Sequence, residues 1–145
     1  MMDIKIIRPE DTYEMRQAIL RPNQTIEECQ YPGDHEEKNF HLGAYYKGKL
    51  VSIASFYKEK HADFNEEKQF RLRGMATLTE FRGQNAGSEL ILFAEKLMKK
   101  QLVGLWWCNA RITVSEYYKK LQLQEKGETF TIEHIGPHKL MYKKL

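Results

Sequence analysis

A strand that runs into a loop of small residues and then into a long amphipathic helix fixes both a layer packing and a concavity. Residues 69–100 have that form. Gln69 to Thr79 is β-rich, Arg82-Gly83-Gln84-Asn85-Ala86-Gly87-Ser88 makes the loop, and the helix runs from Ala86 to Lys100. Leu90, Phe93, Ala94 and Leu97 fall on one stripe with Ile91 and Met98 beside it, and Lys99 and Lys100 suit the negative end of the helix dipole. A stripe of that width must be buried against another layer, and the preceding strand makes a sheet the natural partner.

The rest of the chain intersperses strands and helices. Alternation over Asp3 to Arg8 predicts a first strand. Pro9 then starts a helix, with Glu10 and Asp11 in its first turn and Met15, Ala18 and Ile19 on its apolar face. That helix stops near Arg21-Pro22, because the residue before a proline avoids the helical region. Thr25 and Glu28 have the spacing of a capping box, which predicts a short helix over 25–30. Phe40 to Tyr46 and Leu50 to Tyr57 predict strands on either side of the hairpin signal Lys47-Gly48-Lys49, and residues 61–68 read as a polar loop. The continuous apolar run Leu102 to Cys108 predicts a strand buried on both faces. Thr113 to Leu121 predicts a helix, and Thr129 to Ile135 and Lys139 to Lys144 predict closing strands. Gly136-Pro137 marks a sharp turn before His138.

The chain has 145 residues, 30% of them charged and 12% aromatic, which suits one domain over 1–145 with a real core. A net charge of +3, with lysines in scattered pairs and no basic tract interleaved with aromatics, argues against nucleic acid. No apolar run approaches the ~20 residues of a membrane helix, and Met1-Met2-Asp3-Ile4-Lys5 does not open a leader. A cytoplasmic protein with no membrane partner is therefore expected. Neither Cys29 nor Cys108 has a companion at metal-ligand spacing, so no metal is expected. Two reduced thiols are the simpler reading, with a disulfide left open. Monomer or homodimer is not decided by the sequence.

The loop is where chemistry enters. Small residues let a ligand approach the backbone closely, and the helix start offers unpaired N–H groups and a partial positive charge. These suit a phosphate or pyrophosphate, and Arg82 adds a full charge at the edge. The nucleoside-triphosphate loop G-x-x-x-x-G-K-S/T is absent, as is a G-x-G-x-x-G after the first strand. A tight strand–helix turn with a solvated arginine would account for the same residues.

The loop resembles the pyrophosphate loop of the GNAT superfamily of N-acetyltransferases, Gln/Arg-x-x-Gly-x-Gly/Ala. Arg82 matches its first position and Gly87 its last, and Asn85 stands at the middle glycine. Asn is the non-glycine residue most able to take a positive φ. Trp106-Trp107-Cys108-Asn109-Ala110-Arg111 followed by Tyr117-Tyr118-Lys119-Lys120-Leu121 is similar to a second stretch of that superfamily, with Gln122-Leu123 in place of its usual Gly-Phe. Arg21-Pro22-Asn23-Gln24, His41-Leu42-Gly43, Ser52-Ile53-Ala54-Ser55-Phe56, Leu72-Arg73-Gly74-Met75-Ala76-Thr77, Trp107-Cys108-Asn109-Ala110-Arg111 and Gly136-Pro137-His138 resemble the bacterial glyphosate N-acetyltransferases along essentially the whole chain.

The resemblance implies an α/β (α+β) GNAT fold, a central mixed, mostly antiparallel twisted sheet of about six to seven strands flanked by about four helices. It implies acetyl-CoA as cosubstrate, with the backbone of Met75, Ala76 and Thr77 along the pantetheine arm, which can add to a strand edge. Arg82, Gly83, Gln84, Asn85, Ala86, Gly87, Ser88 and Asn109 complete the cofactor residues. His138 becomes the general base and Tyr118 the acid for the leaving thiolate. Arg21, Arg73 and Arg111, with His138, bind an acidic acceptor.

The residues themselves say less. An imidazole titrates near ~6.5, which suits a base, yet a histidine after Gly-Pro also reads as a surface-turn residue. Neighbouring helical residues point ~100° apart, so Tyr117 should pack where Tyr118 faces a cleft. Gln69, Arg71 and Arg73 share a strand face, and guanidinium forks suit carboxylate and phosphonate oxygens. Arg8, Arg16 and Arg71 read as ordinary surface arginines, His41 as structural and Cys108 as inert packing. Two other functions fit the chain: acetylation of protein N-termini or lysines, and non-catalytic CoA binding by a regulatory domain.

Overall fold

Seven strands, β1 (Asp3–Ile7), β2 (Phe40–Tyr46), β3 (Lys49–Lys58), β4 (Gln69–Thr77), β5 (Leu105–Arg111), β6 (Gln124–Ile132) and β7 (Gly136–Lys144), make one sheet in the order β1-β2-β3-β4-β5-β7-β6. The computed structural model describes residues 2–145, so Met1 of the stretch read for a leader lies outside it. All neighbours are antiparallel except β4 and β5. The α+β class and the mostly antiparallel sheet are as expected. Among the described residues no helix is long and apolar enough to cross a membrane.

The helical segments are shorter than the sequence suggests. The first is composite: a 3-10 turn Pro9–Thr12, α1 (Tyr13–Met15) and a π turn Arg16–Leu20 closed by Arg21 N–H donating to the Arg16 carbonyl at 2.9 Å. Over 25–30 the capping box forms in both directions, Thr25 N–H to Glu28 Oε1 and Glu28 N–H to Thr25 Oγ1, but it closes only the 3-10 turn Glu27–Cys29. The predicted helix 113–121 is a 3-10 turn Ile112–Val114 followed by α3 (Ser115–Lys120). Only α2 (Ala86–Lys100) matches its predicted span.

Strand boundaries also move, and the closing strand expected over 129–135 lies at Gln124–Ile132. The buried strand is Leu105–Arg111, not 102–108: Leu102 is exposed with φ +61, at the position after the α2 cap. There Leu102 N–H donates to Lys99 O and Val103 N–H to Met98 O, the bond pair that usually ends a helix on glycine. Gly136 and Pro137 lie within β7, so His138 is inside a strand, and the chain turns at 133–135 instead. β4 ends at Thr77, and residues 79–81 form a 3-10 turn.

The apolar stripe of α2 behaves as its periodicity requires. Leu90, Ala94 and Met98 are fully buried against Leu42, Phe56, Phe70 and Trp106 on one face of the sheet. Burying each large side chain contributes about 1.5–3 kcal/mol. Beside this core, Glu95 on α2 accepts the Trp106 indole N–H at 2.9 Å and pairs with Lys143 at 3.0 Å, tying β5 and β7 to the helix. The opposite face carries α1 and the π turn, where Met15 packs with Ile53 and Ala76.

Candidate active site

The parallel pair β4–β5 holds together only from Gln69–Leu105 to Arg71–Trp107. Beyond that point the two strands part. The cause is on β4. Ser55 pairs with Arg73 and Ile53 with Ala76, so Gly74 and Met75 together oppose Ala54. This is a β-bulge with Gly74 at φ +64, a left-handed conformation that glycine takes without strain. A bulge bends its strand and leaves a residue out of the ladder. The result is a cleft of about 750 Å³ between β4 and β5, roofed by the start of α2 and by α3.

Strand alternation sorts the walls. Trp107 and Leu140 pack in one small cluster, and Trp106, Cys108 and Met141 in the α2 core. Asn109, Arg111 and His138 therefore share the Trp107 face, as Arg71 does, with its guanidinium over the Trp107 ring at 5.1 Å. Met75, Cys108, Ala110 and Tyr118 belong to the α2 face. Since residues of both faces line it, the cleft passes through the sheet.

On the α2 face the loop has the backbone its small residues suggest. Gly83 has φ +80, and Asn85, at the middle-glycine position, has φ +66 and ψ 11 as N-cap of α2. No side chain caps that end, and the first backbone bond back to Asn85 comes from Glu89, so the N–H groups before it are free for a ligand. A Cβ on Gly87 would run into Tyr117 Oη and Met75 Cε, so this residue must stay small. The other departure, Gln122, has φ +74 and ends α3 as glycine would, with its N–H on Lys119 O and that of Leu123 on Tyr118 O. Leu123 is buried where a phenylalanine would be expected.

Burial pushes the Tyr118 phenol well above its ordinary value, so it stays protonated at neutral pH; its hydroxyl points at Met75 Sδ at 3.7 Å. Tyr117 does not pack away as expected. It lines the cleft too, with its hydroxyl beside Gly87. Burial also pushes the Cys108 thiol up to about 12.

On the other face His138 is buried, with Nδ1 2.8 Å from the Gly136 carbonyl oxygen. A carbonyl can only accept, so Nδ1 carries the proton and Nε2 of the neutral ring keeps its lone pair. Among the described residues, Arg21, Arg71, Arg73, Arg82 and Arg111 line the cleft, and no Asp or Glu does. The arginine ion pairs among the described residues are those of Arg8 with Asp11, Arg16 with Asp34 and Arg71 with Glu59, which leaves Arg21, Arg73, Arg82 and Arg111 free. Arg73 lies over the Tyr31 ring at 4.4 Å. Burial, with the charge of Arg71 behind it, pulls this guanidinium below its ordinary value. It is an unpaired cation that an anion would relieve.

The cleft brings together Arg21, Arg73, Met75, Ala76, Thr77, Arg82, Gly83, Asn85, Ala86, Gly87, Ser88, Asn109, Arg111, Tyr118 and His138. Gln84 is the exception: it is exposed and its side-chain amide turns back to the Glu80 carbonyl at 3.2 Å. Two arginines read as surface residues are not. Arg71 is half-buried in the cleft wall, and Arg16 is fully buried on Asp34 at 2.7 Å. His41 is structural, buried between Ser55 Oγ and the Asp34 carbonyl. Tyr31, Ile132 and Ile135 also line the cleft and carry no sequence signal that marks them. Among the described residues no three His, Cys, Asp or Glu side chains gather to hold a metal ion.

A profile described as "Acetyltransferase (GNAT) family" matches residues 5–121. An uncharacterized N-acetyltransferase of Bacillus subtilis (strain 168), YitI, is 51% identical over the whole chain and 97% of its own length. An aminoglycoside 6'-N-acetyltransferase complexed with coenzyme A has the same fold at a TM-score of 0.78 and 13% identity, over 99% of this chain and 97% of that one. An acetyltransferase of the GNAT family from Streptococcus pneumoniae superposes at 0.71 with 15% identity over 100% of both chains.

Proposed function

Because this chain belongs to the acetyltransferase (GNAT) family of N-acetyltransferases, we propose that it is a single domain that transfers an acetyl group from acetyl-CoA to the amine of a small acceptor bearing one or two anionic groups. A carboxylate- or phosphonate-bearing amine, of the kind the glyphosate N-acetyltransferases take, fits best. The observation that carries this reading is the set of unpaired guanidinium groups, Arg21, Arg73 and Arg111, with Arg82 unpaired at the loop, in a cleft that no Asp or Glu of the described residues lines. A lysine-bearing peptide would bring a cation to that wall.

The residues of the α2 face suit the cofactor. The uncapped N-terminus of α2, Gly83, Asn85 and Gly87 offer backbone N–H groups and room for a pyrophosphate, with Arg82 beside them. The β4 edge beyond Arg71 has no β5 partner, so Met75, Ala76 and Thr77 have backbone groups for the pantetheine amides and the thioester carbonyl. Asn109 lies across the slot. Acetyl-CoA supplies an activated acyl group, and the chain manages protons and charge around it. His138 takes one proton of the acceptor ammonium on Nε2, the freed amine forms the C–N bond as the C–S bond breaks, and the Tyr118 phenol gives a proton to the departing thiolate and is restored by the second proton that the nitrogen loses. Arg21, Arg73 and Arg111 orient the acceptor through its anionic groups.

The test is thiol release from acetyl-CoA with a panel of acidic amino acids, amino-phosphonates including glyphosate, neutral amines and a lysine peptide. Preferential turnover of the acidic amines is expected. Faster turnover of the peptide would overturn the acceptor assignment, and cofactor binding with no turnover of any amine would make the domain regulatory.

A further inference from the structure

Beneath the acceptor face lies a buried network that the chemistry above does not use. Arg16 has no solvent exposure, and its fork meets the Asp34 carboxylate at 2.7 and 3.2 Å. The same guanidinium donates to Cys29 O, Ser55 Oγ and Tyr57 Oη, and Tyr57 Oη donates to Asp34 in turn. Asp34 also accepts the Tyr31 backbone N–H at 2.8 Å, which fixes the chain at that ring. Arg16 lies over the Tyr31 ring at 4.0 Å and Arg73 over the same ring at 4.4 Å. One aromatic ring thus serves two cations, its π face offsetting part of their charge.

We propose that the Arg16–Asp34 ion pair is a positioning device for the acceptor site, holding Arg73 through Tyr31 and Arg21 through the π turn. This rests on the reading that Arg21 and Arg73 grip an anionic acceptor. Three features argue for positioning over stability alone. A buried ion pair adds little net stability beside an apolar replacement of the same shape. The pair keeps an unpartnered polar atom, Arg16 Nε, which lies 3.3 Å from where a Cβ on Gly74 would be, so bulge and ion pair are fitted as one unit. Finally, Arg16 opens the π turn whose closing N–H belongs to Arg21. A change in the pair therefore reaches both cleft arginines without touching either. Arg16, Asp34 and Tyr31 act here as positioning residues.

The experiment compares Asp34→Asn, Tyr31→Leu and Tyr31→Phe. Each is assayed with an acidic amine and a neutral amine, and by NMR of the Arg73 side-chain Nε–H in the absence of acceptor, assigned with Arg73→Lys. Asp34→Asn and Tyr31→Leu should raise the KM for the acidic amine about 5- to 10-fold while the KM for acetyl-CoA stays within about twofold. Tyr31→Phe should restore the acceptor KM, because the ring and not the hydroxyl does the holding. The Arg73 resonance should be shifted by the ring in the wild type and in Tyr31→Phe, and should lose that shift in the other two. An unmoved Arg73 resonance in Asp34→Asn overturns the proposal, as does an equal rise of both KM values in Tyr31→Leu. Should Asp34→Asn not fold, Tyr57→Phe removes one hydrogen bond from each member of the pair, and an unmoved resonance there counts against the proposal too. A wild type with no preference for acidic amines overturns the acceptor reading, while the resonance still decides the positioning.

Discussion

Arg111 stands directly opposite His138 across the β5–β7 ladder. Cross-strand partners share a face with Cβ atoms roughly 4.5–5.5 Å apart, so the proposed anion anchor and the proposed base are mounted on one rigid unit. Their losses should separate kinetically. His138→Ala should lower kcat by about 10²-fold or more with little change in acceptor KM, as for a removed general base. Arg111→Ala should mainly raise the KM for acidic amines, by about tenfold, the size of one charge-assisted hydrogen bond. Steady-state kinetics with one acidic amine checks both.

Gly87 has no room for a methyl group beside Tyr117 Oη and Met75 Cε. In Gly87→Ala those side chains must move into the cleft, and the KM for acetyl-CoA should rise about tenfold or more, with a smaller effect on the acceptor. Isothermal titration with CoA reads the same change without turnover.

Leu102 is 81% exposed and holds φ +61 at the end of α2. Left-handed conformation costs an L-residue about 1–2 kcal/mol, partly offset in glycine by its looser unfolded chain. Leu102→Gly should therefore raise stability by about 0.5–1 kcal/mol, read in urea unfolding, and leave activity unchanged.

Acid should act through Asp34. Burial raises its carboxyl, but the hydrogen bonds from Arg16, Tyr57 and the Tyr31 N–H together hold it below its ordinary value. The contribution is therefore complete above the unfolded value near ~3.9 and is lost as pH falls through the lower folded one. Denaturant midpoints should fall below about pH 4. In Asp34→Asn this slope should become shallower, leaving the part due to Asp11, which Arg8 also holds below its ordinary value, and about 3–5 kcal/mol should be lost at pH 7 because Arg16 is left buried and unpaired.

Both thiols should be silent in the native state. Cys29 and Cys108 are buried and burial raises both, Cys108 up to about 12, so little thiolate exists to react. Intact-mass analysis after iodoacetamide at pH 8 should show no adduct until denaturant is added.

What was legible in the sequence was local. The α2 stripe, the loop before it and the strands about the Lys47-Gly48-Lys49 turn follow from spacing within a dozen residues, and the structure keeps them. Asn85 carried its φ in its chemistry. Leu102 and Gln122 did not, since nothing marks a leucine or glutamine for a left-handed turn until the helix before it is packed. Arg16 reads as a solvated charge because its partner is 18 positions away. Tyr31 lies in an irregular stretch whose shape is set by Asp34, so no periodicity points to it. Arg71 shares a face with Arg73 and was separable from it only by the Glu59 pairing.

Only three ladder pairs join β4 to β5, between the β1–β4 half of the sheet and the β5–β7–β6 half. The opening at Gly74 should thus also be the weak seam of the sheet. Amides along this seam should exchange through small openings well before those of β2 and β3. A ligand lodged in the opening touches both halves at once and acts as a clasp. Occupancy should thus be visible as slowed exchange at residues 105–107, on the far side of the sheet's weakest join from the bulge that created it.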